Sequence, residues 1–516
     1  MPLRRDPQPR AWRQATLIAI VLFWLLDLLA LRAGTPDPLD DSWEYGVVAR
    51  ALMAGQGMRT EVIHPPLWTL RDAAGTVPVL VHGPLLPVLI APGIALLGPG
   101  MLDHLAWLSA LFAILAAGTT FALGSRLLSP PVGAAAALLF TLSPLTLRAV
   151  HHDIALTLGA WLLVLALDQL LRTRPHAVRA GLCIGLGALV RPEFLYAAPL
   201  LAIAATGARL RFLAIVGLCI APWGWHGFVH TGAPFFNLSS YLLIGYWESR
   251  PGISVMRDFA LTPPAWGSAL AATLPELPGK WWEFAPHAFK RLLFAPTGAT
   301  GWLAPFGAFA ALLDPRTTRL AAVSIALALV PLAIMTVTLY DPRYLVPFLP
   351  LLALGAARGA SELAAAMPQW LRAPRAWMGV LLLLVLPSIG PALNDAWRDG
   401  RTLRERLRVE RAGLRSLELP TAPRGTALYS DTPDFVAWTL ERPVVWMSLA
   451  EYLALPQRTE GAVTARRPKR TPDDGVVFHA SEGRGGIALA GRIGDWLGAQ
   501  PPAADSGAVA KPAGSR

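Results

Sequence analysis

The chain has 516 residues, 54% of them hydrophobic and only 15% charged, with a formal charge of +11. Soluble proteins average about 25% charged residues, so a mean hydropathy of +0.45 excludes an ordinary soluble enzyme and indicates a polytopic membrane protein. The basic excess argues against a nucleic-acid partner, because the arginines fall in short segments between apolar runs, where a positive-inside bias places them.

The start, MPLRRDPQPRAWR, is basic and leads into an apolar run. With no clean small-residue cleavage site after it, it reads as a retained first span with a cytoplasmic amino end. About eleven apolar runs are predicted as spans: 14–32, 104–126, 132–149, 153–171, 178–192, 194–208, 211–227, 292–312, 319–339, 344–362 and 376–391. The run at 84–98 contains three prolines and is short for a hydrocarbon core of about 30 Å, so it is expected to lie at the interface. Arg126, Arg172, Arg174, Arg179, Arg209, Arg211, Arg316, Arg319, Arg372 and Arg375 then share the cytoplasmic side. That parity puts a first loop at 33–103, a large loop at 228–291 and YDPRY (340–344) outside. Residues 33–83 hold six acids against three arginines, which agrees.

In the first loop, DDSWEYGVVARALMAG (40–55) has Tyr45, Val48, Ala49 and Leu52 at helical spacing and Gly55 as a stop. A short amphipathic juxtamembrane helix is predicted to start near Asp41, with Asp41 and Glu44 forming a capping box and Tyr45 on the packed face. The alternative function of the same geometry is chemical: a carboxylate held at a helix start, at the membrane boundary. The two are compatible if one acid caps and the other works. His64 (HPPLW) and His82 (HGPLLP) precede proline turns, where turn polarity is the bland account.

HHD (151–153) lacks a third spaced metal ligand, so Asp153 is read as polar lining or a helix cap. Asp27, inside the first span, is either functional or paired with a neighbouring helix. Arg191, in LVRPEF beside Glu193, and Arg343, in YDPRY beside Tyr344, close apolar runs on the outer side, against the charge bias. The arginine fork matches phosphate oxygens; the competing reading is a snorkelling or ion-paired arginine.

After 392 the chain is expected to be outside. RDGRTLRERLRVERAGLR (398–415) carries seven arginines and reads as a solvated basic face or a grip on lipid head groups. A small α/β unit is predicted within 392–498, on strand-like runs such as GVVFHA (475–480), with an internal loop at 456–474 and a disordered tail over 499–516. The two cysteines give neither a disulfide framework nor a metal pattern, and no nucleotide-binding motif is present.

Five segments, in order over about 40–360, resemble multi-span glycosyltransferases of the GT-C fold, such as dolichyl-phosphate-mannose protein mannosyltransferases and aminoarabinose lipid A transferases. They are DDSWEYGVVARALMAGQG, HGPLLPVLIAPGIALLG, ALVRPEF, APWGWHGFVHTGAPFF and RYLVPFLPLLALGAA. Two departures are Ser42, where an acid is usual, and Trp-His before the G-x-P. The resemblance implies an all-α polytopic membrane domain over 1–391, with a small extracytoplasmic α/β domain following it. It implies inverting transfer of a sugar from a polyprenyl-phosphate carrier to an acceptor hydroxyl on a lipid, glycan or protein, outside the cytoplasmic (inner) membrane. Asp41 matches the catalytic acid, with Asp40 as the second acid, and Arg343 a phosphate ligand, with Arg191 beside it. Glu44, Tyr45, His82, Asp153, Glu193 and Tyr344 are expected to line the site. No cofactor or metal is required, because arginine can neutralise a monophosphate. The competing class is a transporter or flippase of a lipid-linked or anionic substrate, which predicts a repeat and a midplane site.

Overall fold

The computed structural model describes residues 8–31, 41–205, 207–243, 256–257, 271, 274–294, 298–337, 341–416, 428–447, 477–480 and 489–492. Asp40, the loop at 456–474, the tail over 499–516 and much of 244–270 lie outside the described residues.

The molecule is a helical polytopic membrane protein. Six segments are long and apolar enough to cross a bilayer: Ala11–Leu29, Leu85–Leu127, Arg209–Thr231, Thr318–Val337, Pro342–Ala365 and Pro374–Asn394. Four shorter apolar helices accompany them: Ile154–Leu170, Ala177–Val190, Glu193–Ala204 and Leu303–Leu313. In chain order the helices used below are α1 (Gln8–Leu31), α2 (Ser42–Met53), α3 (Leu85–Leu97), α4 (Leu105–Leu127), α5 (Pro130–Thr141), α6 (Pro144–His152), α7 (Ile154–Leu170), α8 (Ala177–Val190), α9 (Glu193–Ala204), α10 (Arg209–Thr231), α11 (Leu277–Phe294), α12 (Leu303–Leu313), α13 (Thr318–Val337), α14 (Leu349–Ala365), α15 (Pro374–Ser416) and α16 (Pro433–Leu440).

Three predicted spans differ in form. Residues 132–149 make two helices, α5 and α6, bent by 53°. The break is at Ser143, whose ψ of 130° is extended, because the ring of Pro144 bars the preceding residue from the helical region. Residues 292–312 are likewise divided between α11 and α12, with Gly298 at a left-handed φ of +57° beyond the break. At the other extreme α15 runs unbroken for 43 residues, about 65 Å at 1.5 Å per residue. The boundary expected at 391/392 therefore falls inside one continuous helix, beside its interior prolines Pro387 and Pro391.

Glycine and alanine let the helix backbones close up, as membrane packing favours. A Cβ on Gly307 of α12 would lie 1.9 Å from the carbonyl oxygen of Gly355 in α14. Charges collect at the two ends of the bundle. At one end Asp168 takes both Arg126 (2.8 Å) and Arg172 (2.7 Å). Near the ends of their helices, the buried pair His151–Asp27 (2.8 Å) ties α6 to α1, so Asp27 has its partner on a neighbouring helix.

At the other end lies a five-stranded sheet that is not confined to the C-terminal part. Its order is β2-β5-β4-β6-β7, in which β2 (Val62–Ile63) comes from the first loop and β4 (Leu428–Ser430), β5 (Val444–Trp446), β6 (Val477–Ala480) and β7 (Leu489–Arg492) from the tail. β2 runs parallel to β5, with Val62 opposite Val444 and Ile63 opposite Val445. A second pairing, β1 (Arg59–Thr60) with β3 (Val77–Pro78), is antiparallel and closes the first loop on itself.

Helix α16 packs directly on α2. Phe435 meets Trp43 edge-on at 5.3 Å between ring centroids. Gly46 leaves room for Leu102 and Trp438, which a Cβ would meet at 2.6 and 3.2 Å. Arg50 bonds the carbonyls of Trp438 (3.1 Å) and Ala437 (3.0 Å) and pairs with Glu61 at 2.5 Å. The basic stretch of α15 joins the same end: Arg411 lies 4.9 Å from the Trp43 ring and reaches Asp103 at 3.5 Å. One of its arginines is thus an internal clamp, while Arg408 and Arg415 are exposed.

Arg50→Ala removes the helix-end contacts of α16 and leaves Glu61 without its cation. The expected cost is about 1–3 kcal/mol, read as a lower melting temperature and faster protease cleavage of the C-terminal segment, with the 8–416 part still intact.

Candidate active site

The site begins at the start of α2. Asp41 occupies the N-cap position, but its backbone is helical (φ −54°, ψ −17°) and its side chain makes no capping bond. The predicted capping box is not formed. Glu44 turns away from the helix start, and its Oε2 lies 3.1 Å from Nε2 of His82. Nor is α2 a half-exposed surface helix: residues 42–49 are all buried, because α3 covers one side and α16 the other. The covering helix α16 is far away in sequence, so local periodicity could not announce it.

The Glu44–His82 pair explains how charge survives there. Burial works to raise the Glu44 carboxyl, but the His82 charge beside it, with His64 adding to it, prevails and holds it at about 2. Burial likewise opposes charge on His82, yet Glu44 and Asp41 push it up to about 9. Tyr45 packs edge-on to the His82 ring at 5.1 Å. For Asp41, burial favours the neutral form, and His82, Arg343 and Arg191 together outweigh it, so its carboxyl lies below the ordinary range. Asp41 is therefore ionised and half-buried, held by a field of cations, and among the described residues it closes no ion pair of its own.

Two arginines face it from other elements. Arg343 lies in the tight turn Pro342–Phe348, which Asp341 caps by accepting the Arg343 backbone N–H at 2.9 Å. The same acid meets the guanidinium Nε at 3.0 Å. Arg191, between α8 and α9, is held by Asp153 (3.3 Å) and Glu193 (2.9 Å), and its guanidinium carbon lies 5.3 Å from the Tyr344 ring. Asp153 also caps α7 by accepting the Ala155 N–H at 3.0 Å. Of the two side chains, Arg343 is 38% exposed and answered by one carboxylate, whereas Arg191 is 11% exposed and answered by two. Arg343 is the better placed for an incoming anion.

Asp41, Glu44, Tyr45, His82, Arg191, Glu193, Arg343 and Tyr344 all line one cavity of about 280 Å³ at the sheet end of the bundle. Asp153 stands behind it, bonded to Arg191. The cavity also takes in residues that the sequence did not single out as lining: Asp431, Thr432, Asp434 and Trp446 from the C-terminal segment, and His64, there read as turn polarity. Thr432-Pro433 reads locally as a helix start, and nothing in that pattern says what the helix faces. Chemically, the cavity offers an ionised carboxylate next to an exposed guanidinium, an arrangement suited to taking up a proton while an anion departs.

The paired groups set a pH window. The Glu44 value lies below its free value of 4.5, so its contribution is present above pH 4.5 and lost as pH falls towards 2. The His82 value lies above its free value of 6.5, so its contribution is full below pH 6.5 and lost as pH rises through 9. His82→Gln is expected to cost about 3 kcal/mol, with the gap in melting temperature from wild type largest between pH 4.5 and 6.5 and closing above 9.

No protein-family model matches the sequence, and no curated protein matches it either. Solved structures do. The oligosaccharyltransferase of Archaeoglobus fulgidus in its apo form aligns with a TM-score of 0.53 at 12% identity, over 87% of this chain and 66% of that one. The same protein tethered to an acceptor peptide containing the NVT sequon gives 0.51 at 13% identity, over 85% and 64%. ArnT from Cupriavidus metallidurans bound to undecaprenyl phosphate aligns over 86% of this chain and 88% of that one, at 15% identity and a TM-score of 0.46. This chain spans about two thirds of the oligosaccharyltransferase's length. At such identities the likeness is one of fold, and the chain is a polytopic membrane protein with the GT-C fold.

Proposed function

We propose that the chain is a membrane glycosyltransferase that moves a sugar from a polyprenyl-phosphate carrier to the hydroxyl of a lipid, glycan or protein acceptor. The observation that carries this reading is the meeting of Asp41 and Arg343 in one cavity, although they lie 302 positions apart in the chain. The fold, shared with an oligosaccharyltransferase, supports glycosyl transfer as the class.

In this mechanism the acceptor oxygen attacks the anomeric carbon from the side opposite the phosphate, which inverts the configuration. The bond from that carbon to the phosphate oxygen breaks, and the electron pair leaves with the carrier phosphate. Arg343 meets the charge that develops there. Asp41 takes the acceptor proton. Its depressed affinity for protons keeps it ionised, and the transfer becomes favourable as the attacking oxygen gains positive character. Arg191, pinned by Asp153 and Glu193, keeps Tyr344 and the adjoining turn in place.

The same reading sets the orientation. The Arg126–Asp168–Arg172 cluster lies at the end of α4 and α7 remote from the cavity. A positive-inside arrangement makes that end cytoplasmic, together with the amino terminus. The cavity and the C-terminal α/β unit then face outward from the cytoplasmic membrane.

Asp41→Asn in proteoliposomes supplied with radiolabelled polyprenyl-phosphate sugars is expected to lower transfer by about 10²–10⁴-fold; undiminished transfer at equal protein would remove Asp41 from the chemistry. Arg343→Ala is expected to weaken binding of polyprenyl phosphate by about tenfold or more, read by titration in nanodiscs, and an unchanged affinity would take Arg343 out of the phosphate site.

A further inference from the structure

One wall of the cavity carries polar atoms that no step above uses. Both ring nitrogens of His64 and Oε1 of Glu44 have no hydrogen-bond partner among the described residues. His64 is 4% and Glu44 2% exposed, and both line the cavity. The two approach each other only to 3.9 Å, too far for a hydrogen bond. Buried polar groups are as a rule paired, so orphaned atoms gathered on a cavity wall mark where a ligand supplies the partners.

The wall is built, not incidental. His64 follows β2 directly, and the parallel register of β2 with β5 places it beside Trp446, ring centroids 5.2 Å apart at 84°. Two prolines follow it in the turn Pro65–Leu70, and its carbonyl accepts the Leu67 N–H at 2.8 Å. Glu44 is fixed from the other side by His82.

The donor set selects the ligand's chemistry. An imidazole offers a donor in either protonation state, with an acceptor besides when it is neutral, and a carboxylate offers acceptors only. A second phosphate would face the Glu44 charge, so a carrier diphosphate fits poorly. Neighbouring hydroxyls, each able to donate and accept, match all of these atoms. We propose that His64 and Glu44, backed by Trp446, form a subsite for two hydroxyls of a sugar ring, while Arg343 holds the phosphate. This rests on the donor reading above.

The test compares undecaprenyl phosphate with its mannosyl, glucosyl and arabinosyl esters on the full chain in nanodiscs. In wild type at least one ester should bind about tenfold tighter than the bare phosphate. His64→Ala should erase that increment and leave the affinity for bare phosphate unchanged, and His64→Gln, which keeps a donor and an acceptor, should restore part of it. A second arm titrates methyl glycosides in the presence of bare undecaprenyl phosphate. Loss of glycoside binding there, with the ester increment intact, assigns the hydroxyls to the acceptor sugar instead of the donor's. Loss in neither arm, no increment in wild type, or an equal loss for ester and bare phosphate overturns the subsite. Failure of bare undecaprenyl phosphate to bind wild type overturns the donor reading and this subsite with it.

Discussion

Removing a charge from water costs several kcal/mol, and the sheet end of this bundle gathers carboxylates and cations in one small volume. Almost all are answered locally: Glu44 by His82, Arg191 by Asp153 and Glu193, Arg343 by Asp341. This pairing organises the site. It consumes Glu44, which otherwise suits a helix cap, and it occupies Arg191. Among the described residues it leaves the carboxylate of Asp41, ionised by a surrounding field, and the guanidinium of Arg343, with exposed surface. The polarity of the cavity follows from which partners are used up.

A second dependence runs through α2. Its first eight residues are buried, and part of that cover comes from α16, almost four hundred residues later in the chain. The cover is locked by Arg50 on the α16 carbonyls, by Trp43 against Phe435, and by β2 lending a strand to the C-terminal sheet. The C-terminal unit therefore belongs to the site. It supplies Asp431, Thr432, Asp434 and Trp446 to the cavity wall and keeps the Asp41 helix dry. The long helix α15 fastens at this end through Arg411.

Much of this was legible beforehand for simple reasons. Long apolar runs report helices in lipid, because every backbone group must be satisfied within its own segment. The structure gathers Asp41, Glu44, Tyr45, His82, Arg191, Glu193, Arg343 and Tyr344 at one end. The departures have different causes. A capping box was expected at Asp41 and Glu44 because the local pattern permits it, but His82, from a different turn, competes for Glu44 and wins. Residues 132–149, read as one span, are a pair of helices bent at the residue before Pro144, a bend that apolar content hides. His64 was read as turn polarity because its neighbour Trp446 is joined to it only by strand pairing.

The sequence by itself determined that the chain is a membrane bundle, where its first helix after the amino-terminal span begins, and which arginines stand at the ends of apolar runs, since these follow from hydropathy, spacing and charge. Tertiary structure alone decided which acid is spent on an ion pair, which arginine keeps an exposed face, and that a tail segment and a first-loop strand complete one wall. Those outcomes turn on distances between residues hundreds of positions apart, and on which of several permitted partners lies nearest once the chain is packed.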